Sequence, residues 1–212
     1  MNERARVSRH QLSELLRSRD LWSEQTDAAF DLVEQVHSRQ RRAGGGPYLE
    51  EHVYPVTSTV ADYLSADENE RAAETVLIAL LHDTVEDSET IDVDSVHQRF
   101  GQTVANGVAA LTKPEKRAGN SAKDSEQAEE RYVAGVSAAD WNVRVIKVFD
   151  RLNNLAAVHE RPPERRKTYL QETRAHYLDL AKSVDSALTD RMAALLHEQE
   201  SRFEQEFGHQ PT

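Results

Sequence analysis

Apolar residues recur at three-to-four spacing along nearly the whole chain. Leu12, Leu15 and Leu16, then Ala28, Ala29, Leu32, Val33 and Val36, each mark one face of a helix. A second element starts near Glu51, with Val53, Val56, Val60 and Tyr63-Leu64 apolar, and a third runs from Glu70 to about His82. Ile91 to Gly101 reads as a short N-capped helix closed by glycine. Val104, Val108 and Leu111 mark another that stops before Pro114. Residues 114–125 are polar, contain proline and glycine, and are expected to form a loop long enough to act as a flap. Helices resume over about Glu126–Ala138 and Trp141–Glu160, followed by an amphipathic stretch from about Pro163 to Phe207, broken near Val184–Ser186. No segment alternates with the period of a strand. The expected fold is therefore an all-α helical bundle with an additional C-terminal helix: an N-terminal helical segment over 1–24, the main domain over 25–185 and the last helix over 186–212.

Composition narrows the chemistry. With no cysteine among 212 residues there is no disulfide, no thiol nucleophile and no thiolate metal site. A metal would be held by imidazole and carboxylate, which suits Mn, Fe, Zn or Mg. A net charge of −11 argues against binding a nucleic-acid polymer, and it means that a small anionic substrate would need local cations. The most basic cluster is Arg39-Gln40-Arg41-Arg42, which reads equally as that cation supply or as a solvated helix end near its negative dipole terminus. No apolar run approaches membrane-spanning length and the opening residues lead into no signal-peptide core, so a cytoplasmic protein without membrane contact is expected.

Three segments carry the chemistry-bearing side chains. In Leu80 to Asp87, His82, Asp83, Glu86 and Asp87 follow an apolar helical run from Thr75. If the helix continues, His82 lies over Glu86 and Asp83 over Asp87, since residues four apart share a face. In Gly44-Gly45-Gly46-Pro47-Tyr48-Leu49-Glu50-Glu51-His52, a glycine-rich turn leads into a helix with His52 in its first turn. In Val145 to Asn154, Asp150 interrupts an apolar face, where a carboxylate must be paired, ligated or strongly shifted in pKa. Separate helices supplying His52, His82, Asp83 and Asp150 would make a two-His, two-Asp metal site with positions left for water and a substrate oxygen. Glu86 and Asp87 also read as a solvated acidic end, Lys147 as an amphipathic structural lysine, and Tyr48 as a packing residue close enough in sequence to line the site.

The order of these segments resembles the hydrolase domain of the RelA/SpoT family, HD phosphohydrolases that remove pyrophosphate from the 3′ position of the alarmone (p)ppGpp. It also resembles the stand-alone small hydrolases similar to the metazoan SpoT homologue. The family's His-Asp-x-x-Glu-Asp is present whole as His82, Asp83, Glu86 and Asp87, and its Lys-x-x-Asp-Arg-Leu-x-Asn as Lys147, Asp150, Arg151, Leu152 and Asn154. His37 to Arg42 and Gly45 to His52 echo its first motif. The resemblance implies that His52, His82, Asp83 and Asp150 bind Mn²⁺, with other divalent metals as alternatives. It implies that Glu86 and Asp87 position and deprotonate the attacking water, Arg42 meets the guanine base, Asn154 contacts the nucleotide and Lys147 lies near its phosphates. It also implies a guanosine polyphosphate substrate. This chain departs from the family pattern in four places. One extra residue separates Tyr48 from His52, which brings in Arg41 as the alternative base contact. Asn153 stands for the usual histidine, Ala157 for the usual threonine, and Val53 for the usual proline. Asn153 and Ala157 leave open another nucleotide substrate, such as a 2′-phosphorylated dinucleotide (NADPH) or a nucleoside monophosphate; a non-catalytic nucleotide-binding regulatory module is the third reading.

Overall fold

The computed structural model describes residues 6–64, 69–113 and 122–208, which form eleven α-helices and no strand. The chain divides into two compact units, Met1–Lys113 and Pro114–Thr212.

The first unit contains α1 (Arg9–Ser18), α2 (Glu24–His37), a wide π turn (Leu49–Val53), α3 (Tyr54–Tyr63), α4 (Asn69–Leu81), α5 (Val93–Phe100) and α6 (Gln102–Leu111). Helix α4 is its centre, with α2, α3 and α6 all packed on it. The reason lies in its sequence: Val76, Leu77, Ile78, Ala79, Leu80 and Leu81 are apolar all round, so every face is buried. Gly107 lets α6 approach closely, because a Cβ there would lie 2.5 Å from Ile78 Cδ1. Side-chain caps set the helix starts: Ser8 with Gln11 on α1, Ser23 with Thr26 on α2, and Asp92 on α5.

The second unit contains α7 (Ala122–Ala138), α8 (Trp141–Ala156), a 3₁₀ turn (Val158–Glu160), α9 (Pro163–Glu172), a second π turn (Thr173–Tyr177), α10 (Leu178–Lys182) and α11 (Ser186–Phe207). Helix α8 is fixed by Arg151, which is almost wholly buried. Its guanidinium lies 3.5 Å from the Tyr169 ring centroid and 3.9 Å from that of Tyr177. It donates to Thr173 Oγ1 at 2.9 Å and to the Tyr169 carbonyl at 2.7 Å. Two aromatic faces and two acceptors thus satisfy a cation that burial alone would expel.

The all-α expectation holds, with two local differences, at the end of α4 and at the loop before α7. Helix α4 stops at Leu81 instead of running on, and His82 to Glu86 form turns; Thr84 N–H turns back to the Leu81 carbonyl at 2.9 Å. The expected loop over 114–125 ends earlier, since α7 begins at Ala122, while 114–121 lie outside the described residues. The acidic run near the C-terminus is partly ion-paired: Glu200 pairs with Arg174, and Glu206 with Arg166 at 2.5 Å and Arg202 at 3.0 Å. No helix among the described residues is long and apolar enough to cross a membrane.

Candidate metal centre

His52 reaches the first unit's interior from the π turn. In such a turn the backbone bonds run from i to i+5, and here the Tyr54 N–H bonds to the Leu49 carbonyl. One extra residue is thereby taken up without breaking the helix. This is where the sequence has one residue more between Tyr48 and His52 than the pattern it resembles, so the wide turn absorbs the insertion. Glu51, buried in that turn, is held by Arg6 at 2.7 Å, and Val7 N–H donates to the Glu50 carbonyl at 3.0 Å. A Cβ at residue 46 would lie 2.0 Å from the Glu51 carboxylate, so any side chain there would push that carboxylate from its place.

The last residue of α4 brings His82 and Asp83 to the same place. His82 Nε2 lies 3.2 Å from His52 Nε2 and 3.1 Å from Asp83 Oδ2, and His52 Nε2 lies 3.2 Å from the same oxygen. Both imidazoles are buried, with 1% and 2% of their surface exposed. His82 Nδ1 is 2.8 Å from the Ala79 carbonyl, which fixes the proton on Nδ1 and leaves Nε2 with its lone pair toward the cluster. Three ligand atoms about 2.1 Å from one cation, at angles of about 90–110°, would stand about 3.0–3.4 Å apart. The observed spacings fall in that range, and the donor set of two nitrogens and one oxygen suits a divalent ion. Among the described residues these three are the group able to hold a metal.

Electrostatics agree. Burial works against an ionised Asp83, yet the imidazoles of His82 and His52 outweigh it and hold the carboxyl well below its usual range. Tyr48 donates its hydroxyl to Asp83 Oδ2, and its ring packs at a tilt against His37 and His52 at centroid distances of 5.3 and 4.9 Å.

The other sequence candidates are placed as follows. Glu86 Oε2 accepts from the Lys113 N–H at 3.0 Å, and Asp87 Oδ2 accepts from Gln40 Nε2 at 2.9 Å, so two neighbouring carboxylates are held by different elements. Arg41 is exposed and bridges Pro47 through its backbone. Arg42 is half-buried, 5.9 Å from the Tyr48 ring centroid. Both follow α2 in a hairpin, beyond the helix end itself. In the second unit Asp150 is buried, accepting from Lys147 Nζ at 2.8 Å and Asn154 Nδ2 at 2.6 Å. Burial opposes the Lys147 ammonium, but Asp150 raises its pKa well above the ordinary value. Sequence reasoning assigned no role to His37, which is almost wholly buried. The signal was present: Phe30, Val33 and His37 share one face of α2.

Fold and site together define an all-α chain in which two buried histidines and a half-buried aspartate form a cluster able to hold a cation. The family model described as HD domain matches residues 29–186, and the chain belongs to that family. It is 35% identical over 175 residues to a probable GTP pyrophosphokinase of Mycobacterium leprae, covering 80% of this chain and 21% of that protein. It is 33% identical over 171 residues to a guanosine-3′,5′-bis(diphosphate) 3′-pyrophosphohydrolase of Aquifex aeolicus, covering 80% of this chain and 23% of that one. The chain thus spans between a fifth and a quarter of the length of these relatives. A solved structure of a metazoan ortholog of SpoT that hydrolyzes ppGpp shares the fold, with a TM-score of 0.66 and 19% identity over 84% of this chain and 97% of that one.

Proposed function

We propose that this protein is a metal-dependent hydrolase that removes the 3′-pyrophosphate from guanosine 3′,5′-bis(diphosphate), giving GDP from ppGpp and GTP from pppGpp. The observation that carries the reading is the convergence of His52, His82 and Asp83 at cation spacing in an HD-domain chain similar to a named 3′-pyrophosphohydrolase. A divalent cation, Mn²⁺ in this reading, supplies a Lewis acid for the phosphoryl oxygens and lowers the pKa of bound water when present. His52, His82 and Asp83 hold it, with Asp150 as the fourth ligand; the motif Lys147 to Asn154 supports that last assignment.

Water attacks the phosphorus bonded to the 3′ oxygen, the P–O3′ bond breaks, and pyrophosphate leaves as the ribose 3′-hydroxyl regains a proton. Glu86 and Asp87 orient the water and take its proton. Arg42, with Arg41 as alternative, meets the base, while Tyr48, Lys147 and Asn154 line the nucleotide. These cations offset the field of a chain carrying −11 overall. The reaction belongs in the cytoplasm in this reading, where a guanosine polyphosphate is met as a free small molecule.

The test is incubation of purified protein with Mn²⁺ and ppGpp. Stoichiometric GDP and pyrophosphate, abolished by chelation, support the proposal. No release, or release of orthophosphate alone, rejects it.

A further inference from the structure

The least explained feature of the first unit is a chain of polar groups reaching Asp87 from inside α2. His37 has only 1% of its surface exposed. Its Nδ1 lies 2.6 Å from Gln40 Oε1, and Gln40 Nε2 lies 2.9 Å from Asp87 Oδ2. The second ring nitrogen, Nε2, is buried with no hydrogen-bond partner.

These contacts determine one another. Asp87 as a carboxylate can only accept, so the Gln40 amide must present its NH₂ to it and turn its carbonyl oxygen to His37. That carbonyl can only accept, so the proton of His37 sits on Nδ1. The neutral Nδ1–H form follows, and the unpartnered Nε2 agrees, because a buried N–H with no acceptor would cost more than a buried lone pair. Burial also pushes the His37 pKa down, in spite of Gln40, Asp83 and Asp87, which favours the neutral ring. The amide cannot flip without setting oxygen against carboxylate and N–H against N–H. A mobile glutamine on a hairpin is thereby converted into a fixed donor, and the carboxylate it holds is one of the two proposed to manage the attacking water.

We propose that Gln40, locked by His37, is a positioning residue for Asp87. It has no direct contact with the reacting atoms; it sets the direction of the Asp87 oxygen that takes the proton. This rests on the reaction proposed above and adds to it a residue whose effect falls on turnover and not on substrate or metal binding.

The experiment uses the full chain with Mn²⁺ and ppGpp, comparing wild type with Gln40→Glu and Gln40→Met. Gln40→Glu keeps the acceptor for His37 and removes the donor to Asp87; Gln40→Met keeps the length and removes both without adding charge. Hydrogen-bond partners that orient the ligands of a catalytic metal typically contribute tenfold to a hundredfold, and the same scale is taken for the partner of a proton-accepting carboxylate. Each variant is expected to lose about tenfold to a hundredfold in kcat, with KM and bound Mn²⁺ within about twofold of wild type. Unchanged kcat in Gln40→Met overturns the inference, as does a change confined to KM or to metal content. Loss in Gln40→Glu alone also overturns it, by assigning the effect to the added charge. The ¹⁵N shifts of His37 provide a readout without metal or substrate: an Nδ1-protonated ring is expected in wild type and in Gln40→Glu, and an Nε2-protonated ring in wild type overturns the inference. A wild type that turns over while the variants match it condemns this inference alone; a wild type without turnover condemns the reaction itself.

Discussion

If the π turn over Leu49–Val53 is a one-residue spacer, removing one residue there should be nearly harmless to the metal centre. Deleting Glu50 restores ordinary helical spacing between Tyr48 and His52, because a turn bonded i to i+5 spends one more residue than a turn bonded i to i+4. Tyr48, which donates to Asp83, and His52, 3.2 Å from the same carboxylate, then keep their mutual orientation. The direct cost is the bond from Val7 N–H to the Glu50 carbonyl, about 1 kcal/mol. Mn²⁺ affinity should stay within about tenfold, or about 1.4 kcal/mol. Inserting one alanine between Glu50 and Glu51 is the opposite case. The turn has already taken up its extra residue, so a second rotates Tyr48 and His52 apart by about 100°. Metal ligands tolerate displacements of only about 0.2 Å, and the insertion should weaken Mn²⁺ binding more than about 100-fold. Calorimetric Mn²⁺ titration reads the affinity, with circular dichroism confirming the helical fold. A folded deletion variant that no longer binds Mn²⁺, or an insertion variant that binds as wild type does, would refute the spacer argument.

Three further outcomes follow, the first from the proposed ligand set and the other two from the packing. Asp150→Asn should lower Mn²⁺ affinity at least about tenfold and reduce ppGpp turnover with it; unchanged affinity by equilibrium dialysis would remove Asp150 from the ligand set. Arg151→Met, which removes two buried charge-assisted hydrogen bonds and the cation held between two rings while the Thr173 hydroxyl stays bonded to the Tyr169 carbonyl, should cost about 3–5 kcal/mol in urea unfolding; a loss under about 1 kcal/mol would contradict the anchoring role. Because burial lowers the folded pKa of His37 below its ordinary value of 6.5, the folded protein binds fewer protons than the unfolded chain just below that pH. Stability is therefore expected to fall as pH drops below 6.5 and to fall less in His37→Asn, measured by urea midpoints at several pH values; parallel curves would contradict it.

Much of this was legible in the sequence because the signals were local. The three-to-four periodicity of α2, α4 and α8 marks helices whose buried faces the structure fills. His52 and the His82-Asp83 doublet stand out because polar ligand types sit at the ends of apolar runs. The end of α4 at Leu81 was not legible. His82-Asp83-Thr84-Val85 contains no glycine or proline, and the turn there is accompanied by a local bond from His82 Nδ1 back to the Ala79 carbonyl and by tertiary contacts of Asp83 with His52 and Tyr48. The extra residue before His52 was visible, but the wide turn that absorbs it depends on where Tyr48 and His52 must point in three dimensions. Gln40 lies in the stretch that echoes the family's first motif, but its role was not legible there, since it depends on the two ends of the amide meeting a buried imidazole and a carboxylate.

The central claim is that His52, His82 and Asp83 hold a divalent cation. The most direct measurement is Mn²⁺ binding at equilibrium by electron paramagnetic resonance, in wild type and in His82→Gln. One tightly bound ion per chain in wild type, with ¹⁴N coupling from imidazole, and none in the variant is the predicted result. Stoichiometric binding that survives His82→Gln unchanged, or a bound ion without nitrogen coupling, would contradict it.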